Sequence, residues 1–229
     1  LREMLRSYSI LRTFEDVGHQ LPPMRMVTLP INGDDRELVA YITKYPGLSS
    51  EIVDVLRTEG KLSFDQGQHI ATLRRLIAEA KVPGYARMVT EELETDIIDK
   101  LVVMANHRAA IELLTKHLRK HGIRAEAITG STSDRERGKI VSSFQEDPAG
   151  VRVIVGNIQA AGTGLTMTAA NRIDMLESPW TPADATQAIR RVRRRGQTRT
   201  TFARFIALEN SFDEQVTDII VRKANEIAM

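Results

Sequence analysis

Cysteine is absent from this chain of 229 residues. Disulfide bonds, thiolate nucleophiles and cysteine-bound metals are therefore excluded. Aromatic residues are scarce, at 5%, and the sequence has a single tryptophan. No run of about 18 apolar residues occurs, so we predict no membrane-spanning helix and no membrane partner. The sequence also lacks a GxxxxGKS or GxxxxGKT segment, which forms the phosphate-binding loop of many nucleotide hydrolases.

Charge is balanced overall but uneven along the chain. Lysine and arginine number 32 against 30 aspartate and glutamate residues, a net charge of +2. No acidic residue occurs from Ala185 through Leu208, where seven arginines are found: Arg190, Arg191, Arg193, Arg194, Arg195, Arg199 and Arg204. Like charges on one helix face repel, and guanidinium groups match phosphate geometry. The run predicts a phosphate-binding surface; the alternative is a solvated basic face, which would usually mix both signs.

Local signals place much of this run on a helix. Thr181 fits an N-cap, Pro182 fits the first turn, and Asp184 follows three residues after the cap. Gly196 fits a C-terminal stop. We therefore predict a helix from Pro182 to about Gly196. Three polar side chains at i, i+4 and i+7 would then share one helix face: Gln187, Arg191 and Arg194.

The remaining pattern predicts an α/β fold. Apolar runs read as strands at 101–105, 125–129, 151–155, 172–176 and 200–208, and helices with one apolar face separate them. Strands that alternate with helices indicate βαβ units and a mostly parallel sheet with helices on both faces. We assign this core to residues 100–229.

Two further segments precede the core. Residues 1–23 predict an amphipathic leader, and residues 24–99 a short strand followed by a helical extension. Within that extension we expect two helices between residues 34 and 59, a third from Ser63 to about Ala80, and a fourth that starts at Pro83. The acids between residues 91 and 99 predict a solvated face.

Polar loops follow two of the predicted strands, and ligands of open α/β sheets lie beyond the carboxyl ends of strands. After strand 151–155, glycines allow close approach of a ligand, and threonine hydroxyls suit phosphate oxygens: Gly162, Gly164, Thr163, Thr166 and Thr168. After strand 125–129 comes a second loop: Thr129, Gly130, Ser131 and Thr132. Each loop also has a plainer interpretation, as an ordinary turn.

Three segments carry a family resemblance in matching order. QAIRRVRRRGQ at 187–197 resembles the QAxxRxxRxGQ box of SWI/SNF-type DNA translocases, a branch of the superfamily 2 helicases. AAGTGLTMTAAN at 160–171 is similar to the AGGxGxNLTAAD loop of that family, and LESPWTP at 176–182 to its DSxWNP segment. Residues 7–23 resemble the bridge between the two motor lobes, and residues 73–93 the lead-in to the second lobe, best in the annealing-helicase subgroup.

The resemblance implies the second RecA-like lobe of a DNA-dependent ATP hydrolase, with DNA repair as a biological setting. Arg191 and Arg194 would be the catalytic arginine fingers toward ATP. The implied ATP-binding positions are Gln187, Gln197, Gly162 and Gly164. The implied DNA-binding positions are Asn106, His107, Arg108, Gly130, Ser131, Thr132, Arg137 and Thr163. Mg, the phosphate cradle and the water-activating carboxylate would belong to an N-terminal RecA-like lobe, so this chain alone should hydrolyse ATP poorly.

Two departures from the family pattern stand out. Thr166 replaces the usual loop asparagine, and the box has extra arginines at 190, 193 and 195. The rival hypothesis is a non-catalytic, basic nucleic-acid-binding α/β module, which coding sequence upstream of Leu1 would distinguish. Since the chain does not start with methionine, we expect a piece of a longer protein. The expected location is cytoplasmic, with the nucleoid or DNA, if the source is prokaryotic or viral.

Overall fold

A single parallel sheet forms the centre of the molecule. The computed structural model describes residues 21–33, 35–51, 54, 64–161 and 164–228. Within these ranges, six parallel strands pair in the order β1-β6-β5-β2-β4-β3. They are β1 (Met24–Ile31), β2 (Leu101–Ala105), β3 (Ala125–Ile128), β4 (Val153–Asn157), β5 (Arg172–Met175) and β6 (Thr201–Leu208). The predicted strands and their parallel arrangement are confirmed.

Helices cover both faces of the sheet. They are α1 (Arg36–Lys44), α2 (Phe64–Glu94), α3 (Arg108–Lys120), α4 (Asp134–Glu146), α5 (Ile158–Ala161), α6 (Pro182–Ile189) and α7 (Phe212–Ala228). In β2, Val102 and Met104 face the layer of α4, α6 and α7. Leu101, Val103 and Ala105 face the layer of α2 and α3. A strand buried on both faces reads as one apolar run, which is why β2 was predictable.

Segments from the predicted extension belong to the sheet and its core. β1 pairs with β6 along its full length, from Met24 opposite Thr201 to Ile31 opposite Leu208. The second half of α2 packs on the sheet through buried apolar side chains: Val82, Tyr85, Ala86, Val89 and Leu93. The predicted boundary at residue 100 therefore does not separate two cores. Sequence order hides this because β1 pairs with a strand about 177 positions away along the chain (Met24 with Thr201).

α2 is one helix of 31 residues with Pro83 inside it. The prediction of one helix that ends near Ala80 and another that starts at Pro83 is wrong. An internal proline removes a backbone hydrogen bond and costs about 3 kcal/mol. Apolar side chains continue into the core on both sides of Pro83, for example Ile77 and Tyr85. Burial of each such side chain contributes about 1.5–3 kcal/mol, which together outweighs the cost.

The first half of α2 forms a smaller hydrophobic cluster with α1 and α7. Its members include Leu38, Leu73, Ile77, Phe212 and Val216. α1 begins after Asp35, whose carboxylate accepts hydrogen bonds from two backbone amides of the first turn. The predicted break at residues 45–47 is confirmed, and helical residues resume at 48. Residues 1–20 of the predicted leader and Ser63, the predicted start of the third helix, lie outside the described residues.

Part of the arginine-rich run is neutralised inside the molecule. Arg204 Nη1 lies 2.6 Å from Glu92 Oε1, and Arg204 Nη2 lies 2.6 Å from Asp174 Oδ2. Tyr85 donates from its hydroxyl to the same Asp174 carboxylate at 2.6 Å. The prediction that the acids at 91–99 form a solvated face is wrong for Glu92, because α2 packs this residue over β5 and β6. On the surface, the Arg199 guanidinium lies 3.3 Å from the carboxylate of residue 99.

Candidate functional site

An arginine-rich turn follows helix α6. Thr181 caps the helix, and its hydroxyl accepts a hydrogen bond from the Asp184 amide at 3.1 Å, as predicted. The helix ends at Ile189, so the predicted extension to about Gly196 is wrong. Residues 190–197, called the arginine turn below, follow it and carry five of the seven arginines.

The α-helix does not continue beyond Ile189, because the backbone of residues 190–197 forms other hydrogen bonds. Several amide-to-carbonyl hydrogen bonds of the turn span three residues instead of four, as in a 3₁₀ turn. The carbonyl of Arg191 accepts a hydrogen bond from the Met167 amide at 2.9 Å. Gly196 adopts a φ of 99°, which favours glycine. The prediction that Gln187, Arg191 and Arg194 share one α-helical face is therefore wrong.

The side chain of Gln197 joins the arginine turn to residues 164–171, called the threonine loop below. Its Nε2 donates to the carbonyls of Ala170 at 2.7 Å, Thr168 at 3.1 Å and Val192 at 3.4 Å. Its Oε1 accepts from the Arg199 amide at 3.0 Å. Gln197 is only 6% exposed. The predicted direct contact of Gln197 with ATP does not fit this placement, since the amide positions two chain segments instead.

Two cations of the turn lie close together, and neither has a carboxylate partner in the part of the chain that the structure describes. Arg194 is exposed, and its Nη1 donates to the Leu165 carbonyl at 3.4 Å. Arg191 is partly buried, and in the described part of the chain its Nε has no hydrogen-bond partner. Burial, together with repulsion from Arg194, lowers the pKa of the Arg191 guanidinium. A partly buried cation with an open donor and a like-charged neighbour suits an anion.

The arginine turn lies at the amino edge of the sheet. Arg193 donates from Nε to the carbonyl of Pro22, just before β1, at 2.9 Å. Asn171 and Thr200, which precede β5 and β6, are joined by a hydrogen bond of 3.0 Å. The threonine loop ends at Asn171 and therefore leads to the amino end of β5. The prediction that this loop lies beyond the carboxyl edge of the sheet is wrong for its last residues.

Glu177 organises the opposite, carboxyl edge of the sheet. Its Oε1 accepts from the amides of Asn106 at 3.0 Å and His107 at 2.8 Å. Its Oε2 lies 2.6 Å from Nδ1 of His107. Burial by itself raises the pKa of Glu177, but the hydrogen bonds from His107 outweigh burial and the pKa lies below its ordinary value. The carboxylate therefore stays charged at neutral pH and fixes the residues that follow β2.

Polar atoms with open hydrogen-bonding capacity lie at the same edge. Asn106 Nδ2 and Arg137 Nε are buried, and neither has a partner among the residues that the structure describes. After β3, the Thr129 amide donates to the Thr132 hydroxyl at 3.0 Å and closes the turn. Arg137 donates to the Thr132 carbonyl at 3.4 Å. The structure thus brings most of the predicted DNA-binding positions to one edge: Asn106, His107, Gly130, Ser131, Thr132 and Arg137.

The other predicted site residues are placed as follows. Arg108 donates to Glu112 Oε1 at 2.6 Å on the surface of α3. Gln187 is exposed on α6. Gly164 has a φ of 76° and open space around its Cα. Gly162 and Thr163 lie outside the described residues.

Comparison with known proteins identifies the lineage of this arrangement. Residues 84–196 match the helicase conserved C-terminal domain family. The chain is 28% identical to the human DNA annealing helicase and endonuclease ZRANB3 over 98% of its own length and 20% of that relative. The domain match and relatives such as this one support a helicase C-terminal lobe of the SWI/SNF type, near the annealing helicases. The chain spans about one fifth of the length of this curated relative.

Solved structures show the fold of the SWI/SNF-type lobe. The Sulfolobus solfataricus SWI2/SNF2 ATPase core in complex with dsDNA superposes with a TM-score of 0.65 and 20% identity, over 99% of this chain and 53% of that chain. The C-terminal part of the Fun30 ATPase domain gives 0.61 and 15%, over 90% of this chain and 98% of that chain. The predicted RecA-like α/β fold is confirmed.

Sequence reasoning missed two residues that organise the SWI/SNF-type lobe. Glu177 lies within the quoted segment LESPWTP, but nothing in the sequence pairs it with His107. Arg74 lies on α2, where a basic residue in an amphipathic helix gives no signal of a distant partner. Only the sheet order, which puts β5 beside β2, shows why Glu177 meets His107.

Metal-binding clusters and membrane-spanning helices are both absent from the part of the chain that the structure describes. In the described ranges, no three His, Cys, Asp or Glu residues lie close enough together to hold a metal ion. No helix found there is both long and apolar enough to cross a bilayer.

Proposed function

We propose that this chain is the second motor lobe of an ATP-dependent DNA translocase or helicase. In this proposal Arg191 and Arg194 reach the phosphates of ATP bound by a separate N-terminal lobe. The carboxyl edge of the sheet binds the phosphate backbone of DNA. Support comes from the names of the relatives, which include an annealing helicase, and from a similarly folded ATPase core solved with dsDNA.

The arginine turn carries the proposal. An open donor on Arg191, the exposed guanidinium of Arg194 and the absence of a carboxylate partner for either among the described residues fit a polyanion such as a nucleotide phosphate. ATP supplies the phosphoryl group whose transfer these cations would assist. The same surroundings offer no carboxylate set for Mg, so we assign the metal to the separate lobe.

The chain's own residues would act by position and charge. Two adjacent guanidinium groups stabilise negative charge that spreads over a transferring phosphoryl group. Gln197 fixes the arginine turn against the threonine loop through two hydrogen bonds, to the carbonyls of Thr168 and Ala170. Movement of the threonine loop would therefore move Arg191, whose carbonyl bonds to Met167 of that loop. This contact gives a physical link between loop position and arginine position.

DNA binding is assigned to the residues at the carboxyl edge. Asn106 and Arg137 offer buried donors without partners in the described chain, and the turn at 129–132 offers hydroxyl and amide groups. Such groups suit phosphate oxygens and carry no base information. We therefore expect binding that tolerates any sequence and weakens as salt rises.

Turnover by a two-lobe protein tests the arginine assignment. The perturbations are Arg191→Ala and Arg194→Ala in a protein that includes the upstream lobe. DNA-stimulated ATP hydrolysis should fall by about a thousandfold, the order of effect of one arginine finger. Arg87→Ala is the matched control, because Arg87 is exposed on α2 across the sheet from the arginine turn. Turnover unchanged by either substitution in the turn would refute the assignment.

A further inference from the structure

Residues 177–181 lie between β5 and α6 and contact three other parts of the fold: the residues after β2, helix α7 and helix α2. Glu177 binds the residues after β2. The Ser178 hydroxyl lies 2.7 Å from that of Thr217 on α7. Thr181 caps α6, which leads into the arginine turn. This short segment, called the junction below, is therefore placed to connect the carboxyl edge with the arginine turn.

Arg74 of α2 contacts the junction through its guanidinium group. Its Nη2 donates to the Ser178 carbonyl. Its guanidinium carbon lies 3.9 Å from the centre of the Trp180 ring, a cation–π contact. Glu177 and Asp213 attract the same guanidinium, although burial lowers the pKa of Arg74. One side chain thus contacts two residues of the junction, Ser178 and Trp180, and is attracted by a third, Glu177.

The Trp180 ring is held but not buried. It is 45% exposed, at the entrance of α6. A large aromatic ring that stays in solvent keeps its orientation only if a neighbour fixes it. Arg74 provides that contact, and a planar guanidinium does so better than the flexible ammonium of lysine.

The position of Arg74 suggests what helix α1 and the first half of α2 contribute. Leu73, next to it on α2, belongs to the cluster that joins α1, the first half of α2 and α7. Arg74 therefore stands where this helical layer meets the carboxyl edge. A rigid attachment there would hold Glu177, and through it His107 and Asn106, in a fixed place.

We propose that Arg74 is a positioning residue for nucleic-acid binding, which couples the α1–α2 layer to the junction and so to the carboxyl edge. The inference rests on the proposed DNA binding at that edge. It assigns no contact between Arg74 and DNA. It predicts that loss of the guanidinium makes the Trp180 ring more accessible to solvent and, in the same variant, weakens DNA binding.

The chain's single tryptophan makes the inference testable. Arg74→Met, Arg74→Lys and the control Arg75→Met would be compared by acrylamide quenching of Trp180 fluorescence and by titration of a labelled DNA duplex. Arg75 is adjacent but pairs with Glu79 on the surface of α2. Circular dichroism melting would confirm that each variant folds, and Arg74→Lys keeps the charge if Arg74→Met does not fold.

We expect Arg74→Met to increase quenching and to raise the Kd for duplex by about tenfold, the order of one lost hydrogen bond to a charged group. Arg74→Lys should fall between it and the parent, and Arg75→Met should match the parent. If the unsubstituted chain binds duplex and Arg74→Met binds it equally well, the inference alone is overturned. If the unsubstituted chain fails to bind duplex even at low salt, the proposed function fails first, and the inference with it.

Discussion

Replacement of Gln197 should separate the arginine turn from the threonine loop. The side chain is buried, and it donates to the carbonyls of Ala170 and Thr168 at normal distances of 2.7 and 3.1 Å. The third donor contact, at 3.4 Å, is long and weak. Its Oε1 accepts one more hydrogen bond, from the Arg199 amide. Three good hydrogen bonds at about 1 kcal/mol each give a cost of about 3 kcal/mol for Gln197→Ala.

Gln197→Glu sharpens this prediction because it keeps the size of the side chain. The carboxylate cannot donate, so its oxygens would face three carbonyl oxygens and repel them. We expect a destabilisation at least as large as that of Gln197→Ala. The free energy of unfolding, from urea denaturation followed by circular dichroism, measures both. A loss of about 3 kcal/mol corresponds to a fall in Tm of about 6–12 °C for a chain of this size.

The matched control is Gln215→Glu, because Gln215 is exposed on α7. This substitution should change the free energy of unfolding by no more than about 0.5 kcal/mol. If Gln197→Glu behaves like Gln215→Glu, the proposed link between turn and loop is wrong. In a two-lobe protein, Gln197→Glu should also slow ATP turnover, because Arg191 and Arg194 lose their support.

Two further predictions concern buried charges. Tyr85→Phe removes a hydrogen bond to the Asp174 carboxylate, so urea denaturation should show a loss of about 1.5–3 kcal/mol; an unchanged midpoint would show that Arg204 alone satisfies this carboxylate. The pKa of Glu177 lies below its ordinary value of 4.5, so its stabilising effect is complete above about pH 4.5 and is lost as pH falls through the lower folded-state pKa. Glu177→Gln should therefore lower stability at neutral pH and flatten the acid dependence of the unfolding free energy; parallel pH profiles for variant and parent would contradict this.

Local patterns predicted most of the architecture. The apolar run at 101–105 had to be a strand buried on both faces, and it is. Thr181 was predicted as a helix cap, and its side chain accepts the expected amide hydrogen bond. Such signals act within one turn of backbone, so they survive without knowledge of the rest of the molecule. The box that includes Arg191 and Arg194 was equally visible, because its spacing is a property of the sequence.

Predictions failed where a distant partner outweighed a local signal. Pro83 signals a helix start, but the packing of α2 on the sheet carries the helix through it. Residues 190–196 have the spacing of a helix, but hydrogen bonds from Met167 and Gln197 hold a turn. Glu92 belongs to an acidic run, but Arg204, more than a hundred positions away, draws it inward.

Local spacing was enough to predict the α/β class, the central strands and the family box with its run of arginines. It could not show that Arg199 and Arg204 pair with acids far along the chain, or that Arg191 and Arg194 have no carboxylate partner among the described residues. The tertiary structure decided these points, and also that Glu177 and Arg74 support the carboxyl edge. The physical reason is that electrostatic and packing partners are set by strand order, which local spacing does not encode.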